Sequence, residues 1–330
     1  MLDKGVLVSE IYSNPPGARI SGSYGIKSIS KNTARDDRYY LVMELSDKTG
    51  TITFYFWGDK DEDSVSIRDS LKENDVIVVD NALVDSWVST DHRALKLELT
   101  PERITKLDED QIDPADYLPD TKRCKDEMFE YVTQKKDEIE NPHLKMLMDK
   151  IFSDARLMHK FKTTPASLMI HHAHASGLLE HTWEVLNYCE KIVEIHSTLD
   201  KDLLYVGAIL HDIGKVDTYV ASVIIDLSRE GMLLDHLYLG CEIVSKYVSE
   251  IAGFPDELHN KLRHIILSHH GEPGMGAAVR PAIPEASAIH CADMMGSQIV
   301  QYINAKESYE GSDFKTSKRI FPLNTRIYVE

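Results

Sequence analysis

Several features that define other protein classes are scarce in this sequence. Only four of its 330 residues are cysteines, and they stand far apart without a CxxC pair, which disfavours a zinc ribbon or a disulfide framework. No run of uncharged apolar residues reaches the ~18 residues that a membrane-spanning helix needs. The N-terminal residues lack the apolar run and the cleavage site of a secretory signal. We therefore expect a cytoplasmic protein with no membrane partner.

Positively charged residues are also fewer than negatively charged ones. The chain has 37 Lys and Arg against 54 Asp and Glu, and its formal net charge is −17. This argues against a protein that coats duplex DNA through a broad basic surface, but it leaves room for a narrow nucleic-acid groove. Residues 19–38 are locally basic and include Lys27, Lys31 and Arg38. These side chains are either nucleic-acid contacts or ordinary solvated surface.

The first hundred residues show the alternation of a β domain. Runs rich in β-branched and aromatic residues are separated by turn residues, as at 47–50. A short helix is expected over residues 63–71, between the third and fourth strands. The expected strands cover residues 18–29, 38–46, 51–57, 75–79 continuing towards 87, and 93–99. Five strands in this order predict a small closed barrel of the OB type.

The pattern changes after an acidic stretch that contains two prolines. We expect residues 109–121 to be a linker between an OB domain (1–108) and a second domain (122–330). In the second domain, apolar residues recur at helical spacing, and strand signals vanish until residues 319–329. The predicted fold class is a multidomain protein, with an N-terminal all-β OB barrel followed by an all-α helical bundle.

Five segments of the helical half place histidine or aspartate on a face that should be buried. One is an apolar helix that runs into an HD dipeptide and that Gly214 is expected to end. Another is a helix start at which Gly240 would allow close packing. A third is the helix after Pro284, where the apolar stripe includes Ile299 and has a carboxylate in its middle. The polar residues concerned are His181, His211, Asp212, His236, His269, His270 and Asp293.

Each of these residues has a simpler explanation when it is taken alone. A buried histidine is usually hydrogen-bonded to a carbonyl, and Asp293 could pair with an arginine or a lysine. Those explanations must hold for five segments at once, although buried imidazoles and carboxylates are costly unless they are paired. A divalent cation would satisfy them together. Imidazole and carboxylate donors without thiolate suit Mn²⁺, our first choice, and also Fe²⁺, Ni²⁺ or Zn²⁺.

The order of these residues resembles a known signature. His181, His211-Asp212 and Asp293 are similar to the H…HD…D pattern of the HD-domain superfamily. The additional histidines resemble the subset of that superfamily that binds two metal ions. The resemblance implies that these four residues hold one ion and that Asp212 bridges to a second. The second ion would be held by His236, His269 and His270.

A more specific resemblance covers most of the chain. Residues 177–182, 211–215 and 269–271 look like the corresponding motifs of the YhaM-type 3′→5′ exoribonucleases, which place an OB domain before an HD domain. Residues 45–52 are similar to the OB segment of that family. The run His171-His-Ala-His174 carries one more histidine than the family pattern, and this histidine either adds a ligand or has no role.

The candidate catalytic residues are Asp212 and Lys215. Lys215 could bind the phosphate or assist the leaving group, or it could simply be a lysine that the helix dipole favours. Arg280 lies in a Gly-rich segment that is either a lid or a plain surface loop. Tyr55 and Trp57 are candidates for stacking on bases. They share one side of a strand, and the sequence leaves open whether that side faces the core.

The leading interpretation is a metal-dependent 3′→5′ exonuclease that acts on single-stranded RNA or DNA. The choice of RNA and the direction of digestion are implied by the resemblance alone. One alternative keeps the metal site but hydrolyses nucleotides or cyclic dinucleotides. Another is an adaptor that binds single strands without catalysis. A homo-oligomer is left open.

Overall fold

The computed structural model describes residues 5–34, 39–57, 70–85, 94–97, 104–108, 111–168, 172–221, 223–307, 316–320 and 323–328. It divides into two compact units. The first consists of Met1–Asp120 with Ala221–Ile225, and the second of Thr121–Val220 with Asp226–Glu330. None of the helices within the described ranges is long and apolar enough to cross a membrane.

The first unit is a β barrel preceded by a one-turn helix, α1 (Val8–Ile11). Its strands are β1 (Arg19–Thr33), β2 (Tyr39–Asp47), β3 (Gly50–Trp57), β4 (Val76–Asp85), β5 (Ala94–Leu97) and β6 (Ile104–Lys106). The strand order is β1-β2-β3-β5-β4-β6, and an additional β1–β4 pairing closes the barrel. β3 and β5 run parallel, while the other pairs are antiparallel. The closed barrel thus consists of the five strands β1, β2, β3, β5 and β4, and β6 pairs with β4 beside it. This arrangement is that of the OB fold, which confirms the predicted fold class.

The interior of the barrel follows from the alternation along its strands. Phe54 and Phe56 are fully buried, whereas Tyr55 between them is only partly buried. Phe54 and Phe56 therefore supply the core, and Tyr55 points to the opposite side of β3. This settles the side of the strand that the sequence left open.

The strand predictions hold for the five barrel strands but omit two elements. No sequence pattern predicted α1 or β6, and the three residues of β6 are too few to show a period. The helix expected over residues 63–71 falls mainly on residues 63–69, which lie outside the described residues.

The second unit is built from helices around one apolar core. The helices are α2 (Lys125–Asp137), α3 (Pro142–Ser153), α4 (Ala155–Thr163), α5 (Gly177–Ile195), α6 (Lys201–Leu210), α7 (Lys215–Thr218), α8 (Arg229–Ser249), α9 (Asp256–Ser268) and α10 (Pro284–Glu307). Several begin at a side chain that caps the free backbone N–H groups. Asn141 accepts from the backbone of His143 and Leu144, and Asp200 accepts from Leu203. The predicted helical domain is confirmed.

Strand structure within the second part of the chain differs from the prediction. Two short strands, β7 (Tyr219–Ala221) and β8 (Ile225–Leu227), pair between α7 and α8, so the expectation that strand signals vanish before residue 319 is wrong. Three-residue strands are too short to leave a periodic signal. Within the described part of the predicted strand at 319–329, the pairing consists of isolated bridges.

Two further expectations about the helices need correction. α6 ends at Leu210, before Gly214, and Gly214 has an ordinary negative φ of −63°. Gly214 therefore does not end the helix, and its importance lies in a close backbone approach. Ile299 is 45% exposed, so it does not belong to the buried face of α10, which continues at Gln301 and Ala305.

Candidate metal centre

The first set of donors comes from three elements of the helical unit. His181 lies on α5, His211 and Asp212 lie on the turn after α6, and Asp293 lies on α10. The Nε2 atom of His181 is 3.2 Å from Nε2 of His211, 3.4 Å from Oδ2 of Asp212 and 3.1 Å from Oδ1 of Asp293. The Nε2 atom of His211 is 3.4 Å from the same Oδ2. Four residues from distant segments thus present their donor atoms to one point.

The second set meets the other oxygen of the same carboxylate. The Oδ1 atom of Asp212 is 3.4 Å from Nε2 of His269 and 3.6 Å from Nε2 of His236. Donor atoms of His236, His269 and His270 lie within 4.8 Å of one another. The two oxygens of Asp212 therefore face two different groups of donors.

The donor atoms of the second set fit a bound cation. Four buried atoms have no hydrogen-bond partner among the residues that the structure describes: Oδ1 of Asp212, Nε2 of His236, Nε2 of His269 and Nδ1 of His270. Unsatisfied buried polar atoms are costly, and a cation satisfies such a group of atoms at once. The seven residues predicted from the sequence are brought together here in an arrangement that could hold a metal ion.

Hydrogen bonds behind the imidazole rings fix which nitrogen faces the centre. The Nδ1 atoms of His211 and His269 lie 2.8 Å from the carbonyl oxygens of Ala208 and Ile266, to which an Nδ1–H group donates. That donation leaves Nε2 as the free lone pair, as in metal-binding histidines.

Asp235 is the hydrogen-bond partner behind the ring of His236, and the sequence pattern did not identify it. Its Oδ1 lies 2.6 Å from Nδ1 of His236. Asp235 has φ 64° and ψ 158°, and this bend divides α8 into two helical segments. A carboxylate next to a ligand histidine in the sequence is a signal that could have identified it.

A close backbone contact brings α8 to the HD turn. A Cβ atom on Gly214 would lie 2.0 Å from the carbonyl oxygen of His236 and 2.5 Å from the backbone nitrogen of Gly240. Only glycine permits this approach. The expected close packing at Gly240 occurs against Gly214 and Ile266.

The pKa shifts of Asp212 and of three histidines suit metal binding. His211 differs, because burial lowers its pKa but the nearby Asp212 carboxylate raises it, with a net raised value. Burial lowers the pKa values of His181 and His269. Burial and the neighbouring His269 and His236 lower the pKa of His270 to about 3. Burial opposes the charge of Asp212, but Lys215 and His211 outweigh it and hold the pKa of Asp212 well below its usual range. Neutral imidazoles and an ionised carboxylate are the forms that bind a cation.

Lys215 points at the carboxylate between the two sets. Its Nζ donates to Oδ2 of Asp212 at 2.5 Å, and the residue is only 6% exposed. Burial lowers its pKa and the Asp212 carboxylate raises it, with a net raised value. Lys215 is therefore a buried cation that holds Asp212 in place.

The candidate nucleic-acid residues lie in different surroundings. Lys27 and Lys31 are exposed on β1. The ring of Tyr55 on β3 lies 6.5 Å from that of Tyr40 on β2. Arg280 is exposed and forms an ion pair with Glu272 at 2.7 Å. Arg38 and the side chain of Trp57 lie outside the described residues.

The second half of the chain matches a known family. Residues 178–295 match the family model of the HD domain. The helical unit thus contains an HD domain, and the H…HD…D residues His181, His211-Asp212 and Asp293 all fall within the match.

Relatives extend the similarity to almost the whole chain. The chain is 28% identical to a protein of Bacillus subtilis over 98% of this chain and 97% of that protein. Similar proteins of Bacillus velezensis and Shouchella clausii are also 28% identical, over 98% and 94% of this chain and 97% and 93% of theirs. All three are named 3′-5′ exoribonuclease YhaM. The resemblance to the YhaM-type family that the motifs indicated is confirmed along most of the chain.

Among solved structures, a replication factor A related protein from Methanobacterium thermoautotrophicum matches 33% of this chain and 96% of that chain. The sequence identity is 18% and the TM-score is 0.25. A likeness at this level carries no argument about the ligand of the barrel.

Proposed function

We propose that this chain is a metal-dependent 3′→5′ exonuclease that hydrolyses the phosphodiester bonds of single-stranded RNA in the cytoplasm. In this proposal residues 122–330 hydrolyse the strand with two Mn²⁺ ions, residues 1–108 bind it, and residues 109–121 link the two domains. Single-stranded DNA is a second substrate to be tested. The direction and the RNA substrate come from the relatives that share nearly the full length of the chain.

The observation that carries the proposal is the division of one carboxylate between two donor sets. Oδ2 of Asp212 faces His181 and His211, and Oδ1 faces His236 and His269 of the second set. A bridging carboxylate between two nitrogen-rich sets is what a pair of ions a few ångströms apart requires. Two divalent ions held there would supply the acidification of water and the neutralisation of phosphate charge that phosphodiester hydrolysis needs.

The residues of the chain itself prepare this site in three ways. The carbonyl and carboxylate partners of the histidines fix their tautomers. Burial keeps competing water away from the donor atoms of Asp212 and His269, which are each 1% exposed. Lys215 holds the bridging carboxylate through a buried ion pair, so we assign it a positioning role towards Asp212.

The barrel unit offers a surface suited to single strands. Tyr40 and Tyr55 present partly buried rings on β2 and β3, and OB folds bind oligonucleotides across the corresponding strands. Lys27 and Lys31 are exposed on the adjoining β1 and are candidate contacts for the phosphate backbone. Stacking on aromatic rings with nearby cations is tolerant of sequence, as an exonuclease requires. Arg280 is a further candidate contact.

The test uses the full-length chain with Mn²⁺ and end-labelled single-stranded RNA. A 5′-labelled RNA should shorten through a descending ladder, while a 3′-labelled RNA should release labelled mononucleotide from the start. The same assay on single-stranded DNA and on a panel of nucleotides separates the substrate classes. Phosphate release from nucleotides alone, or tight RNA binding without shortening, would contradict the exonuclease.

The matched variants are Asp212→Asn and Asp149→Asn. Asp212→Asn removes the charge that faces both donor sets, and RNA shortening should fall by at least about 100-fold. Binding of the same RNA by Asp212→Asn should persist. Asp149 is half-exposed and pairs with Lys136 on the surface, so Asp149→Asn should keep full activity. Full activity in Asp212→Asn would remove this residue from the reaction.

A further inference from the structure

A third group of imidazoles and carboxylates lies beside the two donor sets. His172 and His174 stand on the loop before α5, and Glu180 and Glu184 lie on the first turns of α5. The ring of His172 is 5.8 Å from the ring of His181, measured between centroids. None of these four residues belongs to the donor sets around Asp212.

The distances in this group are those of ligands around a common ion. One donor atom each from His172, His174 and Glu180 lies within 4.8 Å of the others. Oε2 of Glu180 is 3.4 Å from Nε2 of His174 and 3.7 Å from Nδ1 of His172. Donors at ~2.1 Å from a tetrahedral ion are ~3.4 Å apart. Oε2 of Glu184 lies 3.1 Å from Nε2 of His172, the ring nitrogen that does not face Glu180, so Glu184 is a hydrogen-bond partner behind the ring.

The hydrogen-bond geometry of the group requires a positive charge between the imidazoles and the carboxylates. Nδ1 of His174 lies 2.9 Å from the carbonyl oxygen of Ala175 and must donate its proton there. In a neutral ring, Nε2 of His174 then carries a lone pair that faces the Glu180 carboxylate. Both nitrogens of His172 also face carboxylates. The group therefore holds either extra protons or a metal ion.

Protons are the competing occupant, because His172 can carry one. Burial lowers the pKa of His172, its contacts with Glu180 and Glu184 raise it, and the result is about 8. The test below distinguishes this protonated cluster from a metal site.

Arg123 contacts one oxygen of Glu180, and the two histidines face the other. Its Nε donates to Oε1 of Glu180 at 3.0 Å, while Oε2 is the oxygen that faces the two histidines. Two glutamates and one arginine leave a net negative charge when the imidazoles are neutral. A divalent cation is thus compatible with Arg123, which would orient the carboxylate as an outer partner.

The loop is held by backbone contacts that fix both histidines. The carbonyl oxygen of His172 accepts from the backbone N–H of Ala166, and that of His174 accepts from Gly177. A Cβ atom on Gly177 would lie 2.0 Å from the carbonyl oxygen of His172. His172 itself has a φ of 47°, a left-handed conformation that is uncommon for histidine. The rings are therefore placed before any ion arrives.

We propose that His172, His174 and Glu180 form a third metal site that binds a divalent first-row transition-metal ion, with Glu184 orienting the ring of His172. Two imidazoles with carboxylate and without thiolate suit Zn²⁺, Fe²⁺ or Mn²⁺ rather than Mg²⁺ or Ca²⁺. His174 is partly exposed, which gives the ion a route to solvent.

The test is the number of Zn²⁺ ions bound by the full-length protein. Metal-free protein is dialysed against a low, buffered Zn²⁺ concentration, and the bound metal is measured by mass spectrometry. His174→Ala and Glu180→Gln each remove one ligand, and Glu180→Gln keeps an oxygen for Arg123. The matched control is His196→Ala, because His196 is an exposed histidine at the end of α5.

The expected result is that both ligand variants bind one ion fewer than the wild-type chain and His196→Ala binds the same number. The experiment compares the number of bound Zn²⁺ ions in each variant with the number in the wild-type chain. This comparison is valid whether or not the sites around Asp212 are filled and whether or not RNA is cleaved. Circular dichroism confirms that each variant is folded, and two different ligand variants guard against one of them failing to fold. Equal Zn²⁺ content in wild type and folded ligand variants would overturn the third site and leave protons as its occupants.

Discussion

Nζ of Lys215 lies 2.5 Å from Oδ2 of Asp212, and both residues are buried. Breaking a buried ion pair leaves an uncompensated charge, so Lys215→Met should lower the free energy of unfolding of the metal-free protein by about 3 kcal/mol. Urea denaturation with a chelator present measures this. The control is Lys160→Met, since the Lys160–Asp217 pair is about 40% exposed and should contribute less than about 1 kcal/mol. Equal effects of the two variants would show that Lys215 does not compensate Asp212.

Asp235 combines a strained backbone with a hydrogen bond to a candidate ligand. At φ 64° and ψ 158° it occupies a region that is favourable essentially only for glycine. Asp235→Gly should relieve this strain but lose the acceptor for Nδ1 of His236. Metal affinity should fall by about 10- to 100-fold, while the metal-free stability should change by less than about 1 kcal/mol. Metal titration and urea denaturation give the two values. Unchanged affinity would mean that Asp235 does not orient His236.

The close contact at Gly214 predicts a graded pair of variants. In Gly214→Ala the new Cβ would lie 2.0 Å from the backbone oxygen of His236, which cannot yield without moving α8. The loss of stability should be about 3 kcal/mol, with weaker metal binding. In Gly240→Ala the nearest atom is a side-chain carbon of Ile266 at 3.3 Å, and the loss should stay below about 1 kcal/mol. Thermal denaturation and metal titration of both variants check this order.

Replacing Tyr55 tests whether the barrel binds RNA on the side of β3 that faces away from the core. Because its ring lies outside the core, Tyr55→Ala should weaken binding of single-stranded RNA by about 1–3 kcal/mol while the barrel stays folded. Fluorescence anisotropy with labelled RNA and without metal measures binding apart from cleavage. The control is Tyr302→Ala, since Tyr302 is 44% exposed on α10. Equal affinities of the Tyr55→Ala and wild-type chains would place the RNA elsewhere.

Asp154 predicts a pH-dependent contribution to stability. Its Oδ1 caps α4 by accepting from the backbone N–H of Leu157 at 2.9 Å, and its Oδ2 accepts from the Tyr247 hydroxyl at 2.7 Å. The hydrogen bond from Leu157 is the main cause of a lowered pKa. Because the folded pKa lies below the unfolded value, this stabilisation is present above ~pH 4 and is lost as the pH falls through the folded pKa.

Asp154→Ala should therefore cost about 1–2 kcal/mol at neutral pH. The difference from the wild type should shrink as the pH drops below ~4. Urea denaturation across this pH range gives the comparison. Asp137→Ala serves as a control, since Asp137 is 63% exposed. A stability difference between Asp154→Ala and the wild type that stays constant as the pH falls below ~4 would show that the ionised Asp154 carboxylate does not provide this stabilisation.

The clustering of the candidate ligand residues could be anticipated from the sequence for a physical reason. A histidine or aspartate in the middle of an apolar helical stripe, such as Asp293 on α10, has no inexpensive partner within its own helix. Several such positions therefore indicate a shared partner before any distance is known. The barrel strands are predictable on similar grounds, because Phe54 and Phe56 alternate with polar or amphipathic neighbours.

Other features depend on contacts that no local pattern contains. Whether Tyr55 or Phe54 faces the core follows from how the barrel closes, and alternation alone is symmetric. The role of Gly214 depends on an approach by α8, which is distant in sequence. The partnership of His174 with Glu180 and Arg123 joins a loop, a helix start and a residue before α2. Only the tertiary fold brings these groups together.

The register of β2 and β3 has a consequence for how this barrel can vary. The two strands pair from Asp47 with Gly50 through Tyr40 with Trp57, and the tight turn between them sets that alignment. Inserting or deleting one residue within β3 would exchange its two faces, driving the hydroxyl of Tyr55 into the hydrocarbon interior and the benzyl groups of Phe54 and Phe56 into water. Length changes within this strand should therefore be tolerated in steps of two residues.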